Sequence, residues 1–332
     1  MGRHRAATRR LAAVLAAVAA GGLVYVLAVR NHGPGEGGGP VAPEVVWAFE
    51  AHKRGAILST PLVAGDHVYA AAVHDPAFTN TGAVYCLDRA TGKLVWSFDD
   101  GGHMQHTFSS PCLADGRLYI GEGMHANFVC KLYCLDAATG RKLWNFEAAG
   151  HIESSPCVAD GKVYFGAGDD GVYCLDAVTG RKRWRFAGPF HVDSAPAVSG
   201  GKVFVGSGVS RLKRVTEVIC LGADDGKVVW RLPTDLPVWG SPLLSGDDVF
   251  FGLGNGRLLT GPEPPETPAG AMICLDAGTG RLRWRYDVGR PSSAGPPPAP
   301  RASTSARGTA TVTAWTAARD RPSGRSPWAA RS

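Results

Sequence analysis

Between residues 44 and 290 no stretch carries the 3.6-residue apolar period of an amphipathic helix, which excludes a helical solenoid. Basic charge is also scarce there. The formal net charge of +6 comes from the ends: residues 1–30 hold five Arg and no acid, and residues 301–332 hold six Arg and one Asp. The remainder has 24 basic and 28 acidic residues, a net of −4, without a basic stripe interleaved with aromatics. That excludes nucleic acid as a partner. Gly206-Ser-Gly-Val and Gly252-Leu-Gly-Asn lack the strand-to-helix setting of a nucleotide loop and read as hairpin turns.

What the chain has is repetition. Val84-Tyr-Cys-Leu-Asp88, Thr-Gly92 and Trp96 form a phrase that returns at Leu132–Trp144, Val172–Trp184, Val218–Trp230 and Met272–Trp284. Trp47 opens the series with only the end of the phrase, and Pro61, Pro111, Pro156, Pro196 and Pro242 precede the full copies. A period of about 40–50 residues marks an array of structural units. In the third copy, Lys162–Gly166 and Gly171–Asp176 are short, β-branched and aromatic, bounded by Gly and Asp, as strands joined by tight turns are. Asp176 can accept backbone N–H groups in the Asp-Ala-Val-Thr-Gly turn, and Gly180 can supply a positive φ. Arg181–Phe186 alternates as a half-exposed outer strand does. Four short antiparallel strands per repeat predict an all-β fold, a β-propeller of five in-frame blades with each tryptophan packed between neighbours.

The phrase Cys-Leu-Asp-x-x-Thr-Gly-Lys/Arg-x-x-Trp-x-Phe resembles the tryptophan-docking repeat of PQQ-type propellers, over residues 44–286. That family includes the quinoprotein dehydrogenases and the outer-membrane assembly lipoprotein BamB. The resemblance implies fold far more strongly than activity, because propellers host unrelated functions. Dehydrogenases of the family carry a vicinal Cys-Cys pair beside the quinone and a calcium site with a catalytic Asp. No two of the eight cysteines here are adjacent, and Asp88, Asp136, Asp176 and Asp276 are explained as turn residues. The expectation is a non-enzymatic protein-binding or assembly module without a cofactor. The alternatives are a PQQ-dependent oxidoreductase, or a sensor propeller detached from a kinase.

Residues 1–30 read as a basic cytoplasmic end and a transmembrane signal anchor. Positions 11–29 are uncharged and mostly apolar, span about 28 Å as a helix, and follow Arg3, Arg5, Arg9 and Arg10. A cleavable signal peptide is the rival, since Ala17-Val-Ala19 fits a small-x-small site, but the apolar run continues ten residues past it. No Cys lies nearby to take a lipid. Residues 31–43 read as a Gly/Pro tether, and residues 44–290 as the propeller on the periplasmic side of a bacterial-type inner membrane.

Residues 291–332 abandon the repeat for Ser, Pro, Ala and Arg, the composition of a disordered tail. Their codons suggest a cause. Read one nucleotide earlier, Thr313-Ala-Trp-Thr316 permits Tyr-Cys-Leu-Asp, Arg319-Asp320 permits Thr-Gly, and Gly324 permits Trp. That Trp would follow Trp284 by 40 residues, the interval between Trp144 and Trp184. Ser303–Ala306 likewise permits Val-Tyr-Phe-Gly. The tail reads as a sixth repeat translated out of frame after a lost nucleotide near residues 290–293. The orphan strand at Trp47 then lacks its blade, and two sheet edges are left exposed.

Cys86, Cys134, Cys174, Cys220 and Cys274 share one slot of successive repeats, and Cys112 and Cys157 share another. Such spacing exceeds the ~7 Å Cα limit of a disulfide, so these are core thiols. His106, His151 and His191 each stand five residues before the proline of a repeat; Glu153 and Asp193 stand three before, on the same strand face. Gathered at a channel mouth they would suit Zn²⁺ or another divalent ion; spread over separate blades they would form only a polar rim. The insertions Ser210–Glu217 and Asn255–Gly270 are candidate partner loops.

Overall fold

The structure, a computed structural model, describes residues 23–28, 44–51, 56–74, 81–124, 127–255 and 269–288. The chain divides into residues 1–296 and residues 297–332, and the second unit lies outside the described residues. Two strands come first, β1 (Leu23–Ala28) and β2 (Glu44–Glu50). Blade 1 follows as β3 (Leu62–Ala64), β4 (His67–His74), β5 (Thr81–Asp88) and β6 (Leu94–Phe98). Blade 2 is β7 (Cys112–Ala114), β8 (Arg117–Gly121), β9 (Cys130–Asp136) and β10 (Lys142–Ala148). Blade 3 is β11 (Cys157–Ala159), β12 (Lys162–Gly166), β13 (Val172–Asp176) and β14 (Lys182–Phe186). Blade 4 is β15 (Ala197–Ser199), β16 (Lys202–Gly206), β17 (Glu217–Gly222) and β18 (Val228–Pro233). Blade 5 is β19 (Leu243–Ser245), β20 (Asp248–Gly254), β21 (Gly270–Asp276) and β22 (Leu282–Val288). Each blade is a four-stranded antiparallel sheet in sequence order. The first strands touch from blade to blade, β7 with β11, β11 with β15 and β15 with β19, and so line the inside.

The repeated phrase builds both the turn and the joint between blades. In blade 3, Asp176 Oδ1 accepts the Thr179 backbone N–H at 2.9 Å and its hydroxyl at 2.9 Å, and Gly180 adopts φ +71°. These bonds hold the Asp176 carboxyl below the usual range, at about 2. The glycine is required twice over, because a Cβ there would lie 2.7 Å from Trp144 Cδ2. The same contact joins Trp47 to Gly92, Trp96 to Gly140, Trp184 to Gly226 and Trp230 to Gly280. Each indole thus leaves its own outer strand and lies on the glycine of the next blade's turn, Thr-Gly in four cases and Asp225-Gly226 under Trp184. Its Nε1–H donates to a carbonyl of that turn: Arg89, Ala137, Ala177, Ala223 and Ala277, at 2.9–3.3 Å. The hydroxyls of Tyr69, Tyr119 and Tyr164 donate to three of those carbonyls, so two donors from one blade share one acceptor on the next. The fourth repeat has Gly222 in place of the turn Asp. There Asp225 Oδ1 accepts from Lys227 N at 3.1 Å, and the turn survives.

The cores lie between blades. Tyr119, Leu132 and Cys134 of blade 2 pack with Val163, Phe165 and Leu175 of blade 3, and Tyr164, Val172 and Cys174 of blade 3 with Val203, Ile219 and Leu221 of blade 4. The cysteines are free thiols; Cys112 and Cys157 are half-buried and the other six are buried. Burial pushes the Cys134 thiol up to about 12, as an inert core residue requires.

Most of the helix expected over residues 11–29, positions 11–22, lies outside the described residues, but Leu23–Ala28 forms strand β1, paired antiparallel with β2 from Leu23↔Glu50 to Ala28↔Glu44. Among the described residues no helix is long and apolar enough to cross a membrane. Val24-Tyr25-Val26 is β-branched and aromatic, and the open edge of β2 offers such a segment a ladder of unpaired amides. One of the two edges expected to be exposed is therefore covered. The other, at β22, is the ordinary outer edge of a blade: β22 ends its sheet as β6, β10, β14 and β18 end theirs.

Candidate functional site

The segment before the first strand of a blade crosses to the hairpin of the preceding one. Val192 N–H donates to Gly168 O at 3.0 Å, Gly168 N–H returns a bond to Val192 O at 3.1 Å, and Gly208 N–H donates to His191 O at 2.9 Å. Thr107, Ile152, Val192 and Val238 hold equivalent places four residues before the blade prolines and are fully buried. They lock the crossing segments between blades. The residues on either side, including the sequence-predicted histidines and carboxylates, are fixed with them.

The structure brings together three of the five. His151, His191 and Asp193 each offer a ligand atom within 4.8 Å of the others, the one such group among the described residues. His151 Nε2 is 3.1 Å from Asp193 Oδ1, and His191 Nε2 is 2.7 Å from Asp193 Oδ2. The imidazole rings tilt across one another at 5.2 Å. A fourth residue joins that sequence reasoning had missed: Asp169 Oδ1 is 2.7 Å from His191 Nδ1. Its signal was visible as Asp169-Asp170 inserted between Gly166 and Gly171, which form the β12–β13 hairpin of blade 3. Gly168 in that hairpin lets the His151 ring lie against bare backbone; a Cβ there would meet its Cε1 at 2.5 Å.

The other two stand apart. His106 is buried on blade 2 with Nδ1 3.2 Å from Met124 Sδ, and the position three before its proline is Phe108 rather than a carboxylate. Glu153 is half-buried and outside the His–Asp group.

The electrostatics follow from the crowding. Burial opposes charge on Asp193, but the hydrogen bonds and field of both imidazoles hold its carboxyl far below the usual range. Burial likewise opposes charge on His191, and the carboxylates of Asp193 and Asp169 outweigh it, raising its affinity for a proton.

Three further carboxylates brace the same end of neighbouring blades. Glu122 accepts from Gln105 N, Lys131 N and the Tyr133 hydroxyl at 2.8–3.1 Å, and burial raises its pKa. Asp170 accepts from Ala149 N at 2.9 Å and the Tyr173 hydroxyl at 2.6 Å, and pairs with Arg185. Glu217 accepts from Arg231 Nε at 2.8 Å. These groups are saturated by protein donors, so they read as structure.

This end of the blades also bears exposed apolar side chains. Phe128 in the β8–β9 loop and Leu212 in the β16–β17 loop are each 81% exposed. The loop of Leu212 is the expected Ser210–Glu217 insertion; it is held by Lys213 Nζ on Gly188 O at 2.8 Å and by a bridge between Phe190 and Val215. Most of the second insertion, Asn255–Gly270, lies outside the described residues.

The sequence model described as outer membrane protein assembly factor BamB matches residues 5–124, 80–208 and 185–261, most of the chain. The chain belongs to the BamB family. No curated protein matches it. Among solved structures it is similar to BamB from Moraxella catarrhalis, at 19% identity and a TM-score of 0.56 over 81% of this chain and 69% of that one. It is also similar to a europium-containing methanol dehydrogenase, at 14% identity and 0.56 over 81% and 68%. The computationally designed Ika8 protein matches at 14% identity and 0.54, over 85% of each chain. At such identities the likeness shows the propeller fold alone.

The resemblance to the dehydrogenases would imply a vicinal cysteine pair beside a quinone. No cysteine neighbours another in the sequence. One carboxylate oxygen of each of these repeat aspartates is engaged by its own turn, as Asp88, Asp136 and Asp276 Oδ1 each accept a threonine N–H at 2.8–2.9 Å.

Proposed function

We propose that the chain is a membrane-anchored, extracytoplasmic propeller that serves as a protein-binding module in envelope assembly, held to the inner membrane by its N-terminal segment. The match to the BamB assembly factor over residues 5–261 carries this reading. The end of the propeller with Phe128 and Leu212 is the face offered to the partner. Large exposed apolar side chains set beside saturated polar groups are the composition of a docking patch. A photo-crosslinker placed at Phe128 or Leu212 in the full chain should capture an envelope-assembly protein. The same group at Val228, exposed on an outer strand, should not. Equal capture from all three positions would remove this face from consideration, and no capture from any would count against a partner altogether.

Quinone-dependent oxidation is the competing activity. The purified chain, given pyrroloquinoline quinone and Ca²⁺, is expected to show no dye-linked oxidation of alcohols or sugars. Turnover that requires both additions would overturn the assembly reading.

A further inference from the structure

We propose that His151, His191 and Asp193 bind one divalent transition-metal ion of the zinc class, with Asp169 positioning His191. The assignment rests on four independent features. First, the donor set is two imidazoles and a carboxylate, the mixture that such ions prefer and that Ca²⁺ and Mg²⁺ do not. Second, the spacing suits the ion. Ligand atoms bonded at about 2.0–2.1 Å around a tetrahedral ion lie roughly 3.3 Å apart. The two Nε2 atoms already lie 3.1 and 2.7 Å from the oxygens of Asp193, and the whole group spans no more than 4.8 Å.

Third, His191 has the outer partner of a metal ligand. Its Nδ1 is 2.7 Å from Asp169 Oδ1, which fixes the tautomer and turns Nε2 inward, as a carboxylate–histidine–metal relay does. Fourth, the charges close. The side chains of His151, His191 and Asp193 are 7%, 1% and 9% exposed, so a net charge among them is costly. Two neutral imidazoles, the Asp193 carboxylate and a divalent ion sum to +1, and the carboxylate of Asp169, 33% exposed and 2.7 Å from His191, brings the site to zero.

The ligands come from two blades. His151 leads into β11 of blade 3; His191 and Asp193 lead into β15 of blade 4; Asp169 comes from the hairpin between β12 and β13. The ion would tie these blades together where the crossing segments meet. Three protein ligands leave a fourth position for water or for a donor group from outside.

The test uses the full chain in detergent, with Co²⁺ as a spectroscopic probe and Zn²⁺ measured by competition against a chromophoric chelator. The wild type should give the intense visible absorption of four-coordinate Co²⁺. Asp193→Asn and His151→Gln should each weaken Zn²⁺ binding by at least about 100-fold, since each removes one of only three protein ligands. Asp169→Asn should weaken it by about 10–100-fold while leaving the Co²⁺ spectrum four-coordinate. His106→Ala should leave the affinity unchanged. The wild-type spectrum requires no variant, so a substitution that fails to fold leaves the test standing. A six-coordinate, water-like Co²⁺ spectrum, or equal Zn²⁺ affinity in wild type and a folded Asp193→Asn, would overturn the site.

Discussion

Replacing Trp184 by alanine is expected to destabilise the propeller by about 3–5 kcal/mol, read as a shift in chemical denaturation. The indole is 8% exposed and sits between blade 3 and blade 4, stacked over Gly226 and 5.9 Å from the ring of Tyr164. Nothing else can fill the space, because the turn beneath it is glycine and the adjacent strands are fixed by their ladders. The cavity term therefore dominates. The lost hydrogen bond to Ala223 O adds less, since that carbonyl still accepts from the Tyr164 hydroxyl at 3.2 Å. Trp284 is the internal control. It holds the same place on β22, yet it is half-buried and has no Thr-Gly turn to lie upon among the described residues. Trp284→Ala should cost far less than Trp184→Ala. A shift below 1 kcal/mol for Trp184→Ala would mean that the joints between blades are not what holds the array together.

The contrast between those two tryptophans shows why so much of this fold was legible in the sequence. A turn that needs Asp, Thr and Gly at fixed offsets, and an indole that needs the glycine of the next turn, leave a phrase that recurs whenever the joint recurs. The strands between them alternate for the same reason. The N-terminus carries no such constraint. Leu23–Ala28 is apolar enough for a membrane helix and β-branched enough for a strand, and local composition does not choose between them. The structure pairs it with β2, a contact that depends on which edge is open.

The candidate site was legible only in part. A common offset from Pro111, Pro156 and Pro196 placed three histidines at equivalent points of three blades, but it could not say how far apart those points are. His106 lies against Met124, and its blade has Phe108 where blade 4 has Asp193. His151 met the carboxylate of the next blade, Asp193. Asp169 escaped notice because it belongs to a hairpin, and its approach to His191 depends on the crossing of Val192 over Gly168. Offsets within a repeat reveal which residues are equivalent, whereas neighbours across a joint emerge only when the blades are assembled.

Restoring one nucleotide near codon 290 should yield a chain with a sixth Tyr-Cys-Leu-Asp…Trp phrase and a propeller that melts higher and more cooperatively. Trp47 lies on Gly92 as the outer-strand tryptophan of a blade whose other strands are not supplied by the five repeats. At the other end, β22 leaves Trp284 half-buried, with Met272, Tyr286 and Val288 between 42% and 57% exposed. A blade following β22 would bring a Thr-Gly turn under Trp284 and cover that surface. Each large apolar side chain so buried adds about 1.5–3 kcal/mol, before the further joint to β2 is counted. Resequencing decides the premise and calorimetry the consequence. A gene read without a missing base, with related loci encoding the same Arg/Ser-rich tail, would dismiss the lost frame. A restored chain that melts no higher than the present one would dismiss the sixth blade as the missing neighbour of blade 5.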